Sequence, residues 1–282
     1  MTISIAYLGP AGTYSESAAI ACAQWLQQST GSTFELHPYS SIAQTIRAAA
    51  EGMSQLAVVP VENSIEGSVT VTLDMLWQLN QLQIQQAIVL PIAHALLSHA
   101  ATLDTIQTVY AHPQALAQCQ EWLEKYLPTA SRVAASSNTE ALQHLKDNPM
   151  AAAIASQRAG QLYEVPTLSY PISDRPDNCT RFWLLSQDSP VNGSHTSVAF
   201  SLPANTPGAL VKPLQILAAR NINMSRIESR PTKRSLGEYL FFIDLEGGIQ
   251  STLVQSALAE LENCTETLKI LGSYNLLAIN ET

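Results

Sequence analysis

The chain has 282 residues, of which 46% are hydrophobic and 13% charged, so it is long enough for two or three domains and is not disordered. Its formal net charge of −9 argues against a nucleic-acid-binding protein, which would present a basic face. No apolar run approaches the roughly 20 residues that a membrane span needs, and the N-terminal segment has no basic region typical of a signal peptide, so we expect a cytoplasmic protein.

The cysteine and glycine patterns argue against a metal or redox centre. Four cysteines, at positions 22, 119, 179 and 264, lack a C-x-x-C or His-rich spacing. The scattered positions of the cysteines favour reduced thiols over a disulfide framework or a zinc site. There is also no G-x-G-x-x-G fingerprint of a dinucleotide site. We therefore expect neither a metal nor a redox cofactor.

Residues 1–185 alternate short apolar runs with helical patterns, beginning with the strand ISIAYLG and the helix YSESAAIACAQWLQQ. A buried strand, LAVVPVEN, and a long extended segment follow. A second set of strands and helices begins at TVYAH, with one helix predicted over PQALAQCQEWLEKYL and another over NTEALQHLKD. This order is typical of parallel sheets with helices on both faces. We predict an α/β fold of two lobes that divide near residues 80–105.

The last third of the chain predicts a separate unit. Residues 187–195 have the composition of a linker, and the pattern beyond them is strand, helix, two strands, helix, strand. That βαββαβ order is ferredoxin-like. Its second helix is predicted over STLVQSALAELENCTETLKIL and its last strand over NLLAIN. Pro213, inside the first helix, should kink that helix or confine its start.

Polar residues cluster where the predicted strands end, and open α/β sheets bind ligands at the carboxyl ends of their strands. Thr180 and Arg181 instead begin a strand. If that strand returns to the first lobe, its start lies at the hinge and faces the same cleft. Arg47 is the only Lys or Arg before Lys125. An anionic ligand would therefore be bound by N–H groups, hydroxyls and amides, or by an arginine from later in the chain, such as Arg181.

Five motifs occur in order: GPAGTYSESAA, VVPVENSIEGSV, HPQALAQC, NCTRF, and a final unit containing PGAL and ESRP. Together they resemble the monofunctional prephenate dehydratases that carry a C-terminal ACT regulatory domain. The resemblance implies a periplasmic-binding-protein-like catalytic domain of two lobes over residues 1–186, the linker 187–195, and an ACT domain over 196–282. It also implies a homodimer or homotetramer with paired ACT domains. Because the chain starts directly in a strand, we expect no chorismate mutase domain.

By resemblance, the reaction converts prephenate to phenylpyruvate in L-phenylalanine biosynthesis, with loss of carbon dioxide and water and without a cofactor. Such a site needs anchors for two carboxylates, a donor for the departing hydroxyl, and shelter in which the ring carboxylate loses its charge. Thr180 matches the family's Thr-Arg-Phe motif and would be a positioned hydrogen-bond donor to that hydroxyl, although a β-branched residue also suits a strand. Asn63 would offer a fixed amide, and Gln118 matches a family position tied to activity.

Two residues of the NCTRF and VENS motifs carry charge. Arg181 would bind a substrate carboxylate through its planar fork, or fasten its loop through Asp174 or Asp177. Glu62 is also predicted to contact the substrate, although it would be unusual beside a bound carboxylate unless it were protonated or bonded away from the substrate, in which case it would orient the loop.

Three further residues are candidates for substrate binding. Ser64 would contact the substrate or cap the next helix. Thr13 lies in a strand-to-helix turn whose N–H groups suit a carboxylate. His112 opens a helix of the second lobe, where it would contact the substrate, cap the strand end or belong to the core. Ala111 replaces the usual serine of the family, so a hydroxyl contact is lost there.

In the C-terminal unit the resemblance implies a site for L-phenylalanine, the end product, between paired ACT domains. N–H groups at the start of a helix suit the carboxylate of an amino acid, and Asn223 would bind its amino group. The charged pair in the ESRP motif would contact the effector or form a surface ion pair. The expected contacts are Gly208, Ala209, Leu210, Asn223, Met224, Glu228, Ser229, Arg230 and Pro231.

Three alternatives remain at this stage. An arogenate dehydratase would perform the same chemistry on the transaminated substrate, which differs only at the side-chain end. A solute-binding protein of two lobes would bind prephenate without turnover, although such proteins are normally exported. An ACT-type sensor would have a vestigial cleft, and the full set of polar cleft residues argues against it.

Overall fold

The structure is a computed structural model that describes residues 2–146, 148–189 and 192–279. Parts of four predicted segments lie outside the described residues: Met1, Asp147, the linker positions 190–191, and 280–282 at the end of the ACT region. Within the described ranges, no helix is both long and apolar enough to cross a bilayer.

The elements are numbered in chain order. The strands are β1 (Thr2–Leu8), β2 (Thr33–Tyr39), β3 (Leu56–Asn63), β4 (Gly67–Ser68), β5 (Gln83–Pro91), β6 (Ala95–Leu97), β7 (Thr108–Ala111), β8 (Ser131–Ala134), β9 (Ala151–Ala155), β10 (Thr167–Ser169), β11 (Cys179–Ser186), β12 (His195–Ser201), β13 (Met224–Pro231), β14 (Tyr239–Glu246), β15 (Thr267–Tyr274) and β16 (Leu276–Ala278). The α-helices are α1 (Tyr14–Thr30), α2 (Ile42–Ala50), α3 (Thr70–Gln78), α4 (Pro113–Gln118), α5 (Gln120–Tyr126), α6 (Asn138–Ala141), α7 (Gln157–Leu162), α8 (Val211–Ala218) and α9 (Thr252–Glu262). Two 3₁₀ turns lie at Leu103–Thr105 and Leu142–Leu145.

Hydroxyl side chains start several of the helices. Thr13 caps α1 and Ser41 caps α2, each accepting a hydrogen bond from the N–H group three residues on. Ser137 and Ser156 cap α6 and α7 in the same way. These caps satisfy N–H groups that the helices themselves leave without partners. They fix the strand-to-helix turns at the edge where the cleft forms.

Two sheets form the two lobes. The first lobe has the order β5-β11-β3-β1-β2, and the second has the order β10-β6-β9-β7-β8. The chain crosses to the second lobe between Pro91 and Ala95 and returns between Ser169 and Cys179, inside the predicted region for the first crossing. On its return β11 inserts antiparallel between β3 and β5, which places its first residues at the junction of the lobes.

Two helices of the second lobe are shorter than predicted. The single helix expected over PQALAQCQEWLEKYL breaks at Cys119 into α4 and α5, and the carboxylate of Asp174 accepts hydrogen bonds from Glu121 and Trp122 at the start of α5. The helix expected over NTEALQHLKD has only four α-helical residues before a 3₁₀ turn. Periodicity alone did not indicate these breaks, because the buried apolar positions continue through them.

The C-terminal unit has the strand order β13-β14-β12-β15, which is the ferredoxin-like order, with α8 and α9 on one face. Its last helix ends at Glu262, so the segment TLKILGSY is the fourth strand of the unit rather than helix. The predicted last strand is β16, which pairs with β5 of the first lobe. Pro213 is the third residue of α8, where its missing N–H costs nothing, so it confines the start of the helix.

The other face of this C-terminal sheet packs on the first lobe. Phe242, Leu271 and Tyr274 share one buried core with Ile46 of α2 and Leu73 of α3. The two sheets also join edge to edge, since β15 meets β5 at Gly272, where a Cβ atom would lie only 2.5 Å from a backbone oxygen of Ile84. The C-terminal unit and the first lobe are therefore one continuous packed body.

Candidate active site between the lobes

A cavity of about 320 Å³ lies between the lobes, where the carboxyl ends of their parallel strands face each other. It opens into a wider cleft of about 770 Å³ along the turn 8–15 and the start of α6. The side chains that line the inner cavity include Tyr14, Asn63, His94, His112, Gln118, Asn138, Thr180 and Phe182. The inner cavity is within the range that small-molecule sites occupy.

Thr180 and Asn63 face each other across paired strands at the inner end of this cavity. The two residues are directly opposite in the β11–β3 ladder, and Asn63 Nδ2 donates a hydrogen bond of 3.0 Å to Thr180 Oγ1. The other side of the Asn63 amide accepts from the N–H groups of Ile65 and Glu66, both at 3.0 Å. These two bonds fix which end of the amide points to Thr180. Because Thr180 Oγ1 accepts this bond, its own hydrogen remains to be donated into the cavity.

The loop before β11 is bonded to the loop after β3. Asn178 Oδ1 accepts from Asn63 Nδ2 at 2.8 Å and from Ser64 Oγ at 3.3 Å, and Ser64 Oγ accepts from the N–H of Cys179 at 3.0 Å. Ser64 therefore neither lines the cavity nor caps α3, which begins six residues later. Its hydroxyl instead fastens the two loops that present Asn63 and Thr180.

Gln118 connects this network to the second lobe. Its Oε1 accepts a bond of 3.3 Å from Asn178 Nδ2 and lies 2.9 Å from His94 Nε2, while its Nε2 donates to Glu66 at 3.3 Å. The predicted trio of Thr180, Asn63 and Gln118 is thus brought together, with Asn178 as the link between them.

His94 and Tyr14 line the cavity but were not singled out from the sequence. His94 is 3% exposed, and the hydroxyl of Tyr14 lies 3.2 Å from His94 Nδ1. Burial lowers the pKa of His94, against the opposite effect of the Gln118 bond, so the imidazole is neutral near pH 7. The one sequence signal was a histidine and a proline interrupting an otherwise apolar run, and that signal is weak by itself.

Thr13 and His112 lie at the mouth of the cleft. Thr13 Oγ1 is used as the cap of α1 and as a donor to backbone oxygens, so what it presents to the cleft is mainly the turn that it stabilises. His112 Nδ1 accepts from the N–H of Gln114 at 3.3 Å, which makes it the cap of α4, and its own N–H donates to Asn138. His112 therefore caps the start of α4 rather than the end of the strand, and it still lines the cavity.

Arg181 and Glu62 do not lie in the cleft, contrary to their prediction as substrate-binding residues. Arg181 Nη2 bonds to Glu62 at 2.8 Å, and its Nη1 bonds to Asp244 of the ACT unit at 2.9 Å. Side chains alternate along a strand, so if Thr180 faces the cleft its neighbour must face the other way. Asp174, the partner considered from sequence, instead caps α5. Within the described residues, the side chains lining both cavities include no Lys, Arg, Asp or Glu.

Asp244 is the centre of a buried charge cluster between the two domains. Its carboxylate is 0% exposed and accepts bonds from Arg181 at 2.9 Å, from Arg226 at 2.8 Å and from Ser197 at 2.6 Å. Although burial lowers the pKa of Arg226, the nearby charge of Asp244 outweighs burial and raises it. Two arginines thus neutralise one buried carboxylate, and one of them is adjacent in sequence to Thr180.

The charged residues of the ESRP motif contact the catalytic lobe rather than each other. Ser68 Oγ donates to Glu228 at 2.9 Å. Arg230 makes a bidentate contact with Asp74 of α3, at 3.1 and 3.2 Å, and Lys233 binds the same carboxylate at 2.6 Å. Burial raises the pKa of Asp74, but the hydrogen bonds from Arg230 and Lys233 lower it overall. The expected surface pair between Glu228 and Arg230 is therefore wrong.

The remaining predicted effector residues fall into two groups that lie far from each other within a single chain. Gly208, Ala209 and Leu210 form the turn before α8, near the end of β13 that holds Ser229 and Pro231. Asn223 and Met224 lie at the opposite end of β13, about 23 Å away at 3.3 Å per residue. A separate cavity of about 560 Å³, beside the hairpin 232–238, includes none of the predicted effector residues.

Comparison with known proteins identifies this architecture. The family described as Prephenate dehydratase matches residues 5–190. The chain belongs to the prephenate dehydratase family. The ACT domain family matches residues 196–263. The chain is therefore an enzyme, and the prediction of a prephenate dehydratase with a C-terminal ACT domain is confirmed, as is the fold class of two α/β lobes plus a ferredoxin-like unit.

Individual relatives cover nearly the whole chain. The bifunctional chorismate mutase/prephenate dehydratase of Aquifex aeolicus is 37% identical over 281 residues, which are 99% of this chain and 75% of the relative. The prephenate dehydratase of Lactococcus lactis subsp. cremoris is 36% identical over 287 residues, covering 99% and 100%. The crystal structure of the Arthrobacter aurescens prephenate dehydratase in complex with L-Phe is 34% identical, with a TM-score of 0.86 over 97% of this chain and 90% of that one.

Proposed function

We propose that the inner cavity catalyses the decarboxylating dehydration of prephenate to phenylpyruvate, with Thr180 as the hydrogen-bond donor to the departing hydroxyl. The observation that carries this proposal is the orientation of the Asn63 amide. It donates to Thr180 Oγ1 and cannot reverse without losing two backbone bonds, so the hydroxyl hydrogen of Thr180 is the one left for the substrate. A fixed donor aimed at the position where charge develops lowers the barrier without reorganisation during the reaction.

The absence of charged side chains from the lining described above supports the decarboxylation step. A lysine or arginine beside the ring carboxylate would stabilise the charge that this group must lose as carbon dioxide departs. Neutral donors, namely the hydroxyls, amides and N–H groups at the start of α1, bind the carboxylates with less stabilisation of the ground state. Transition-state binding then exceeds ground-state binding, which is the condition for catalysis.

We also propose that L-phenylalanine binds the ACT unit and regulates the cleft. The ESRP strand contacts the catalytic lobe through Glu228–Ser68 and Arg230–Asp74, so a ligand that moves this strand changes contacts of β4 and α3 directly. β4 is a hairpin on β3, and β3 ends at Asn63. The effector site would thereby be connected to the catalytic amide through a short stretch of paired backbone.

The test is an assay of the purified chain with prephenate and, separately, with arogenate, following phenylpyruvate and phenylalanine with and without added L-phenylalanine. Turnover of prephenate that changes with L-phenylalanine is expected. Turnover of arogenate alone would keep the mechanism and change the substrate. Tight binding of both compounds without turnover would overturn the catalytic proposal and leave a ligand-binding protein.

A further inference from the structure

One buried titratable side chain at the site has no part in the mechanism above. His94 lies between β5 and β6, on the segment where the chain first crosses between the lobes. Its N–H donates to Ser173 Oγ at 2.9 Å, and its carbonyl accepts from Ile172 at 2.9 Å. Residues 172 and 173 belong to the returning segment, so the two crossings are joined at His94.

The ring of His94 also joins the lobes. Its Nε2 lies 2.9 Å from Oε1 of Gln118, which is on α4 of the second lobe. Its Nδ1 lies 3.2 Å from the hydroxyl of Tyr14, which begins α1 of the first lobe, and the two rings meet edge to face. Tyr14 also donates its hydroxyl hydrogen to the carbonyl of Ala93 at 2.7 Å, so the defined bond of the ring is the one between Nε2 and Gln118, and both Tyr14 and Gln118 line the cavity.

A continuous chain of hydrogen bonds leads from this ring to Thr180. Gln118 Oε1 accepts from Asn178 Nδ2, Asn178 Oδ1 accepts from Asn63 Nδ2, and Asn63 Nδ2 donates to Thr180 Oγ1. The lengths are 3.3, 2.8 and 3.0 Å. The Asn63 amide is oriented by the N–H groups of Ile65 and Glu66, and from there the chain orients the Asn178 and Gln118 amides, since an amide offers a donor at one end and an acceptor at the other.

We propose that His94 is a positioning residue for the dehydration: its Nε2 holds the Gln118 amide in place, and through Asn178 and Asn63 this holds the Thr180 hydroxyl at its position in the cavity. The proposal rests on the proposed function of the cleft. His94 does not contact the reacting atoms in this scheme. It couples the arrangement of the lobes at the hinge to the geometry of the donor, so loss of the ring bond misaligns Thr180 while the cavity and its substrate contacts remain.

Three substitutions separate this role from simple packing. His94→Gln places an amide near the position of Nε2 and can still bond Gln118, whereas His94→Asn reaches only the position of Nδ1, and His94→Leu reaches neither. We expect His94→Gln to keep kcat within about threefold of the unsubstituted enzyme. His94→Asn and His94→Leu should lose about 10- to 100-fold in kcat with KM changed less than about threefold. His99 is exposed in the same part of the chain, so His99→Gln is the matched control and should leave kcat and KM unchanged.

A double-mutant cycle provides the second measurement. In a Gln118→Met background the partner amide is gone, so adding His94→Leu should lower kcat by less than about twofold. Independent losses from the two substitutions, or equal losses for His94→Gln and His94→Asn, would overturn the proposal in favour of a packing role. His94→Leu with unchanged kcat would overturn it as well. Failure of the unsubstituted enzyme to convert prephenate would instead refute the proposed function, so the two failures are distinguishable.

Discussion

At the scale of residues, β11 carries two functions on alternating sides. Thr180 bonds to Asn63 at the cleft, and the next residue, Arg181, bonds to Glu62 and Asp244 at the boundary with the ACT unit. The neighbouring strand repeats the pattern, since Glu62 faces the ACT unit and Asn63 faces the cleft. One residue of register thus separates a group proposed for catalysis from a group that connects the domains.

Replacing Thr180 tests the proposed donor. Thr180→Ala should lower kcat by about 10²- to 10³-fold, the usual effect of losing one aligned donor to developing charge, with prephenate affinity changed little. Thr180→Ser keeps the hydroxyl and should retain activity within about tenfold. Steady-state kinetics and calorimetric titration with prephenate give both quantities. An alanine variant as active as the serine variant would show that the hydroxyl is not the donor.

Because Arg181 lies outside the cleft, its substitution should affect the stability of the fold rather than the binding of prephenate. Arg181→Lys should leave KM for prephenate within about twofold, because the guanidinium is outside the cleft. It should lower the free energy of unfolding by about 1–3 kcal/mol, since a single ammonium cannot bond both carboxylates in the same geometry. Thermal melting measures this loss.

Arg132→Lys is the control for Arg181→Lys. Arg132 Nη1 lies 3.9 Å from Glu124 Oε1, so Arg132→Lys should change the free energy of unfolding by less than about 0.5 kcal/mol. A tenfold rise in KM with an unchanged melting temperature for Arg181→Lys would instead return Arg181 to the substrate site.

At the scale of elements, α3 is a part of the catalytic lobe that the ACT unit contacts through charged side chains. Asp74 on its surface bonds to Arg230 and Lys233 of the ACT unit. At its C-terminal end, Lys269 of β15 donates to the carbonyl groups of Leu76 and Leu79, which α3 leaves without partners. The helix begins just after β4, so movement of α3 reaches the loop that contains Asn63.

Asp74→Asn tests whether these contacts transmit regulation. The amide keeps the shape of the carboxylate but loses its charge, so Arg230 and Lys233 lose their ionic partner. We expect basal turnover of prephenate to stay within about twofold, while the change produced by L-phenylalanine shrinks at least fivefold. The measurement is a titration of the rate with L-phenylalanine, alongside direct binding of the effector.

The control for Asp74→Asn is Glu260→Gln, which weakens an ion pair with Arg220 inside the ACT unit and should leave the response intact. A full response in Asp74→Asn would mean that regulation does not pass through α3.

At the scale of the whole molecule, β13 is an edge of the large sheet. Its outward-facing Ile227 is 45% exposed, although an unprotected edge strand normally carries charge or is covered. Antiparallel pairing of β13 with the same strand of a second chain would bring Asn223 of one chain close to Pro231 of the other. That arrangement would reunite the two halves of the predicted effector site.

Ile227→Asp should therefore weaken self-association. Two carboxylates would face each other near the centre of a paired β13 edge, so we expect light scattering to show a shift toward the monomer, with a weaker effect of L-phenylalanine. Leu253 is 54% exposed on the surface of α9. Leu253→Asp is therefore the control, and its mass in light scattering should be unchanged. Unchanged mass for Ile227→Asp would place the contact between chains on another surface.

Much of the candidate site could be predicted from motifs. The residues that were predicted wrongly or missed can be explained physically. Thr180, Asn63 and Gln118 follow from motif identity, and the structure brings them together. Arg181 failed because its facing depends on which neighbours β11 acquires, and the second of its partners, Asp244, lies 63 residues later. His94 was missed because a single buried histidine has no pattern of its own.

The α/β lobes, the ferredoxin-like order and the motifs that carry the chemistry can be read from the sequence, because periodicity, caps and short motifs are local properties of the chain. What each polar side chain faces depends on contacts between distant parts of the chain. The insertion of β11 between β3 and β5 and the packing of the ACT sheet on α2 and α3 join residues that are far apart in the chain, such as Asn63 and Thr180. Such contacts depend on the whole arrangement of strands, so charge neutralisation at Asp244 and the chain of amides from His94 to Thr180 become visible only after folding.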